Sequence, residues 1–154
     1  MPGDMGHGCA IVFREHGLRV ITDLSGRSER TAGLAEKAGL DDVGSLVEVA
    51  RQADLILSIL PPERALAQAE AVGAAMSEAG AAPPYADCNA VSATTSQRIG
   101  TVIGAAGALY IDAGILGWNP VKSRGNTRFY ASGPDISPLE ALDGKGIVVR
   151  SLGA

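Results

Sequence analysis

Short apolar runs alternate along this chain with longer stretches of helical periodicity. The runs fall at residues 18–22, 55–60, 85–88, 108–112, 127–131 and 147–150. Runs so short and nearly continuous predict strands buried on both faces. Between them the pattern predicts helices over 6–16, 28–38, a short stretch from Ser45, 63–79 and 92–106. Gly17, Gly39, Gly80 and Gly107 follow four of these, where glycine commonly ends a helix. Ser45, with Glu48 three positions on, has capping-box spacing, and Ser92 is a good N-cap. Pro61-Pro62 stops the second run. Strand and helix alternating in this way predict an α/β fold, doubly wound, with a mostly parallel sheet and helices on both faces.

Such a fold opens on a buried strand, yet this sequence opens on Met1-Pro2-Gly3, already a turn. The expectation is therefore one domain, 1–154, with its first strand missing and its chain cut short at both ends.

Composition narrows the picture. A chain of 154 residues suits one domain. With 4% aromatic residues, its core must come from Ala, Val, Ile and Leu. A net charge of −4 lacks the basic excess of a nucleic-acid binder, so no nucleic acid is expected as a partner. No apolar run approaches the ~20 residues that span a bilayer, and no signal peptide is seen, so no membrane is expected and the cytoplasm is. Cys9 and Cys88 have no metal-ligand spacing and read as small buried thiols.

The candidate chemistry starts at Gly3-Asp4-Met5-Gly6, where the first helix opens. Gly3 and Gly6 match the second and third glycines of G-x-G-x-x-G; the first would fall at Met1. Such a turn lets backbone approach a pyrophosphate seated on the N–H groups of a helix start. Met5-Gly6, Ala10, Phe13 and Gly17 then follow the pattern M-G-x-x-x-A-x-x-L-x-x-x-G. Further on come Ala53-Asp54-Leu55-Ile56 with Leu60-Pro61, then Asp87-Cys88-Asn89-Ala90-Val91, then Asp112-Ala113-Gly114-Ile115-Leu116-Gly117. In this order they resemble the 6-phosphogluconate dehydrogenase and 3-hydroxyisobutyrate dehydrogenase superfamily, over nearly the whole chain. The resemblance implies a Rossmann-like nicotinamide-dinucleotide domain. It also implies a separate helical catalytic domain, absent here, through which the full-length protein forms a homodimer.

Cofactor choice turns on the end of the second strand, where an acid suits NAD and an Arg suits the extra phosphate of NADP. Asp23 is followed there by Gly26-Arg27-Ser28, similar to the family's N-R-T clamp. A guanidinium fork suits phosphate, so NADP is favoured over NAD. Arg30 reads equally well as a solvated charge. The resemblance adds Leu60, Pro61 and Asn89 at strand ends along the cofactor path.

On the substrate side the family's glycine-rich segment is represented by Gly114, Gly117 and Asn119. Leu116 and Trp118 replace the family's Ser and second Gly, and Trp118 reads as a packing residue or a hydrophobic lid. The family's catalytic Lys pattern, G-x-x-x-x-x-K-x-x-x-N, is matched by none of Lys37, Lys122 and Lys145, so no catalytic residue is named. His7 reads as a surface histidine and His16 as a helix-end residue. Asp87 and Asp112, at strand ends, read either as paired carboxylates or, more often at such places, as residues that hold loops through backbone N–H groups. The expected function is the NADP-binding domain of an oxidoreductase acting on the CH–OH group of a small hydroxyacid. A non-catalytic NADP-binding module, or an inactive fragment, is the alternative.

Overall fold

The computed structural model describes residues 3–153. The chain runs α1 (Asp4–Glu15), β1 (Ile21–Thr22), α2 (Glu29–Ala38), β2 (Asp41–Asp42), α3 (Leu46–Gln52) and β3 (Ile56–Ser58). A 3₁₀ turn, Pro62–Arg64, then leads into α4 (Ala65–Ala79), β4 (Tyr85–Asp87), α5 (Ala93–Ala105) and β5 (Tyr110–Leu116). The last elements are α6 (Pro120–Ser123), β6 (Arg128–Ser132), α7 (Ser137–Glu140) and β7 (Val148–Gly153). The place of the first turn glycine, Met1, lies outside the described residues.

The predicted helices form because their ends are well specified. Ser28, Ser45 and Ser92 each accept a hydrogen bond from the backbone N–H three residues on, at 3.3, 3.1 and 3.2 Å. Gly39 and Gly80 end α2 and α4 with φ of 65° and 63°, a left-handed conformation that glycine adopts without strain.

The α/β architecture is as expected, with one sheet divided in two. β2 pairs with β1, while β3-β4-β5-β6-β7 form a separate five-stranded sheet. Among the described residues no strand bridges β1 and β3. All pairs are parallel except β5 and β6. That exception follows from length. Between Leu116 and Arg128 the chain has room for only the single turn of α6, too little for a parallel crossover. β2 was not legible as a strand, because Asp41 and Asp42 are polar and exposed. Backbone bonds hold it, from Asp41 N–H to Val20 and from Val43 N–H to Thr22, both 2.9 Å.

Each face of the larger sheet has its own core. One gathers Cys9, Val12 and Phe13 of α1 against Ala86, Ile111 and Phe129. The other packs Val72 and Met76 of α4 and Ile99 and Ile103 of α5 against Tyr85. In β4, Tyr85 and Ala86 point to opposite cores, which is the alternation of a strand buried on both faces. Both cysteines are buried and unbridged. Burial pushes the Cys9 thiol up to about 12, so it is inert near neutrality.

Candidate functional site

α1 begins at the carboxyl end of the sheet. Gly3 is its N-cap, in extended conformation, with no side chain capping the turn. A Cβ built on Gly3 meets nothing within 4 Å, so the turn is open to solvent on that side. Asp4 stands in the first turn and pairs with Lys122 at 3.4 Å, both exposed. Met5 packs, half-buried, on the core beneath. Uncapped N–H groups and the helix dipole make such a terminus favourable for an anion.

A cleft of about 490 Å³ lies between β1 and β3. Gly6 lines it together with Asp23 and Arg27, which follow β1, and Ile59, which follows β3. These are its carboxyl-end residues. Arg27 is half-buried, whereas Arg30 is exposed. Asp23 accepts the N–H of Ser25 at 2.9 Å. Ser28 closes the group by capping α2.

The second cluster joins the ends of β3, β4 and β5. Asn89 is buried and is its hub. Its carbonyl accepts the N–H of Leu60 at 2.7 Å; its amide donates to Ser58 Oγ at 3.0 Å and to Asp87. Leu60 is thereby held at the strand end, and Pro61 stands exposed just beyond it. Asp87 is fully buried, and its Oδ2 has no hydrogen-bond partner. Burial pushes its carboxyl up to about 6, with the neighbouring Asp112 adding to the rise against the Asn89 and Ser58 hydrogen bonds. Asp87 and Asp112 are register partners on β4 and β5, so their side chains share one face. Asp112 in turn accepts Ser96 Oγ at 2.7 Å, and Ser96 also bonds Tyr110 at 2.9 Å. These two aspartates do more than hold loops. They form a carboxyl pair under Asn89, with Asp87 buried and Asp112 half-buried.

The third group lies at the end of β5. Gly114 is half-buried in the strand, and Gly117 turns the chain with φ of 121°. Asn119 is buried. It caps α6 by accepting the N–H of Val121 at 3.0 Å and donates to the Asp4 carbonyl at 2.6 Å. Both ends of this amide are therefore engaged by backbone. Trp118 is 78% exposed, so the expectation that it packs is corrected; its ring faces solvent. His7 is corrected too. It is half-buried, and its Nδ1 donates to the Leu34 carbonyl at 2.9 Å, tying α1 to α2.

Sequence reasoning passed over Gly8. A Cβ there would lie 2.3 Å from Oδ1 of Asn119, so this glycine allows Asn119 to press against α1. The signal was a glycine inside a helical pattern, where it costs roughly 1 kcal/mol against alanine and calls for a packing reason. Among the described residues no three His, Cys, Asp or Glu side chains converge as metal ligands. No helix among them is long and apolar enough to cross a membrane.

The model of the family described as the NAD binding domain of 6-phosphogluconate dehydrogenase matches residues 2–140. The chain belongs to that family. Its fold is also that of solved hydroxyacid dehydrogenases. The conserved protein MTH1747, reported as structurally similar to 3-hydroxyacid dehydrogenases, superposes with TM-score 0.84 at 27% identity, over 98% of this chain and 55% of that one. The Mycobacterium tuberculosis 3-hydroxyisobutyrate dehydrogenase, solved with L-serine, gives 0.78 at 21% identity over 100% and 53%. A reductive aminase from Aspergillus terreus, solved with NADPH and ethyl-5-oxohexanoate, gives 0.70 at 18% identity over 99% and 53%. The chain thus spans about half the length of the structures it resembles. No curated protein gives a significant match. By that family model, this is an NAD(P)-binding domain of the 6-phosphogluconate dehydrogenase type.

Proposed function

We propose that this domain binds NADP in preference to NAD. In this reading it forms the cofactor-binding part of an oxidoreductase acting on the CH–OH group of a small hydroxyacid-type substrate. The carrying observation is the shared cleft mouth, where half-buried Arg27 lies on the same cavity as Gly6 of the uncapped turn. The pyrophosphate would sit on the N–H groups of the Gly3-Asp4-Met5-Gly6 turn. The extra ribose phosphate would take the Arg27 guanidinium and the Ser28 hydroxyl. An acid that would serve the ribose of NAD, Asp23, already accepts a backbone N–H. Leu60, Pro61 and Asn89 would flank the nicotinamide end, which lies past the carboxyl ends of the strands. Once bound, the cofactor supplies hydride transfer.

Gly114 and Gly117 would offer backbone to the substrate. Asn119 fits that role less well, because both ends of its amide are engaged. In this reading the acid–base group and the dimer contact belong to a second, helical domain, consistent with neighbours about twice as long. A non-catalytic NADP-binding module is the second reading. It is favoured by the apolar, exposed Leu116 and Trp118 where a substrate carboxylate would need donors.

The test is titration of the purified chain with NADPH and NADH, followed by thermal shift and by nicotinamide fluorescence. Saturable binding that prefers NADPH and loses that preference in Arg27→Ala supports the reading. Equal affinity for both cofactors, unchanged in Arg27→Ala, refutes it.

A further inference from the structure

One face of the larger sheet ends in a row of polar side chains. The register pairs Ser58 of β3 with Asp87 of β4, and Asp87 with Asp112 of β5. These three side chains therefore share a face at the carboxyl ends of adjacent strands. Just below them on the same face stand Ile56, Tyr85 and Tyr110. From α5, Ser96 bonds Asp112, and α4 turns apolar side chains to this core, Val72 and Met76 among them. The titratable neighbours of Asp87 are Tyr85, Tyr110, Cys88 and Asp112. Burial raises both tyrosines and Cys88 above their ordinary ranges, so all three stay neutral around pH 7. Among the described residues, neither aspartate has an ion pair with a Lys or Arg. Once ionised, Asp87 is thus a buried negative charge with no cation beside it, and its Oδ2 has no hydrogen-bond partner.

Asn89 connects this charge to the cofactor side. Its amide donates to Asp87, and its carbonyl holds Leu60 N–H at 2.7 Å. In the cofactor reading, Leu60, Pro61 and Asn89 flank the nicotinamide end. At that end the oxidised and reduced cofactors differ in charge: the ring of NADP⁺ is positive and that of NADPH is neutral. Their ribose and phosphate groups are the same. A charge in a dry, low-dielectric setting acts over several ångströms, so it distinguishes the two rings without touching either.

We propose that Asp87 is a specificity-determining residue for the oxidation state of the cofactor. Ionised, it favours the positive ring of NADP⁺; protonated, it gives up that preference. It works from beneath Asn89, as a positioning residue, and meets no reacting atom. The inference rests on the cofactor reading. Its sign is fixed. The positive ring favours the charged carboxyl, so bound NADP⁺ lowers the Asp87 midpoint and NADPH does not. By reciprocity NADP⁺ binds more tightly, relative to NADPH, as pH rises through about 6. The extra ribose phosphate titrates in the same range, but it is common to both forms and divides out of the ratio of their affinities. So do the contributions of His7 and His16.

Calorimetric titration of the chain with NADP⁺ and with NADPH, at pH 5, 6 and 7.5, tests the proposal. The preference for NADP⁺ over NADPH should rise about three- to tenfold from pH 5 to pH 7.5. In Asp87→Asn, whose carbonyl can still accept the Asn89 amide, the preference should stay flat near the parent's pH 5 value. Asp112→Asn removes the neighbouring carboxyl that helps to raise Asp87, so there the rise should move to lower pH. Titration of the Asp87 carboxyl by NMR reads the same linkage from the protein side. Its midpoint should lie lower in the chain saturated with NADP⁺ than in the chain saturated with NADPH. A purely structural Asp87 would weaken both cofactors alike on substitution and leave the parent's ratio flat. A ratio independent of pH, or a rise that persists in Asp87→Asn, overturns the inference and leaves the cofactor reading standing. Failure of both cofactors to bind overturns the cofactor reading, and this inference with it.

Discussion

Replacing Asp87 by Asn should stabilise this protein, and should do so only above the acidic range. The Asp87 side chain is fully buried, and its carboxyl is raised from an ordinary 3.8 to about 6, chiefly by burial. A carboxyl with a raised folded-state pKa keeps its full contribution below the unfolded value and loses it as pH climbs through the folded value. The loss therefore develops between about pH 4 and pH 6 and is complete by about pH 7. A rise of this size corresponds to about 3 kcal/mol. Asn carries no charge, so the loss disappears. Its carbonyl can still accept the amide of Asn89. Its own NH₂ then takes the place of the unpartnered Oδ2, beside the Asp112 carboxyl, at a cost of about 1 kcal/mol if it finds no acceptor there. The net expectation at pH 7.5 is about 2 kcal/mol of stabilisation, or roughly 4–8 °C in Tm for a chain of this length.

The assay is urea denaturation of parent and Asp87→Asn at pH 4, 5, 6 and 7.5, read by circular dichroism. Other carboxylates titrate over the same range, so the difference between the two proteins at each pH carries the information. It should be near zero or slightly negative at pH 4 and grow toward pH 7.5. A difference that stays flat across the series, or Asp87→Asn less stable than the parent at pH 7.5, would refute the reasoning. The first outcome would mean that Asp87 titrates normally. The second would mean that its charge is held by a partner the amide cannot replace.

Other perturbations test neighbouring parts of the argument. Gly8→Ala forces a methyl to within 2.3 Å of Asn119 and should destabilise by about 1–3 kcal/mol in urea denaturation, with part of the loss recovered in Gly8→Ala/Asn119→Ala. Asn89→Ala strips Leu60 N–H of its acceptor and Asp87 of its donor, so a loss of about 2–3 kcal/mol is expected at pH 7.5, shrinking at pH 4 as Asp87 protonates. Ser92→Ala removes the cap of α5 and should cost about 1 kcal/mol, seen as a lower denaturation midpoint with an unchanged slope. Arg27→Ala should weaken NADPH about 10- to 100-fold in a fluorescence titration while leaving NADH nearly unchanged.

The sequence made these features visible to different degrees, and the differences have physical causes. Helix ends at Ser28, Ser45 and Ser92 were legible because capping is local: hydroxyl and N–H lie three residues apart. The larger strands were legible because burial on both faces leaves continuous apolar runs. β2 was not, since Asp41 and Asp42 are placed by backbone bonds to a strand about twenty residues away and bury no side chain. The position of the Gly3–Gly6 turn followed from its glycines, and that of Arg27 from its distance past β1. Asn89 was reached only through a resemblance, and the reason it matters was hidden. Its partners, Ser58 and Asp87, come from two different strands, and no periodicity within one segment reports a hydrogen bond across them.

The same distinction separates two candidates of like appearance. Asn119 and Asn89 look alike in the sequence, each a polar residue just past a strand. Folding gives them opposite chemical freedom. Asn119 is pressed onto α1 through Gly8 and has both ends bonded to backbone, so less of it remains to meet a substrate. Asn89 joins the ends of β3 and β4 and rests on a carboxyl that can change its charge near pH 6. Protonating Asp87 removes the anion that Asn89 donates to and leaves its bond to Leu60 N–H in place. The strand ends at Leu60 and Asn89 are therefore coupled to the carboxyl pair Asp87–Asp112. A loop held through neutral side chains alone would show no such link to pH. Carboxyl titration of Asp87 followed by NMR, in the parent and in Asn89→Ala, measures that coupling directly. Loss of the donor should raise the Asp87 midpoint further, because the hydrogen bond from Asn89 favours the charged form. An unmoved midpoint would show that burial alone sets it.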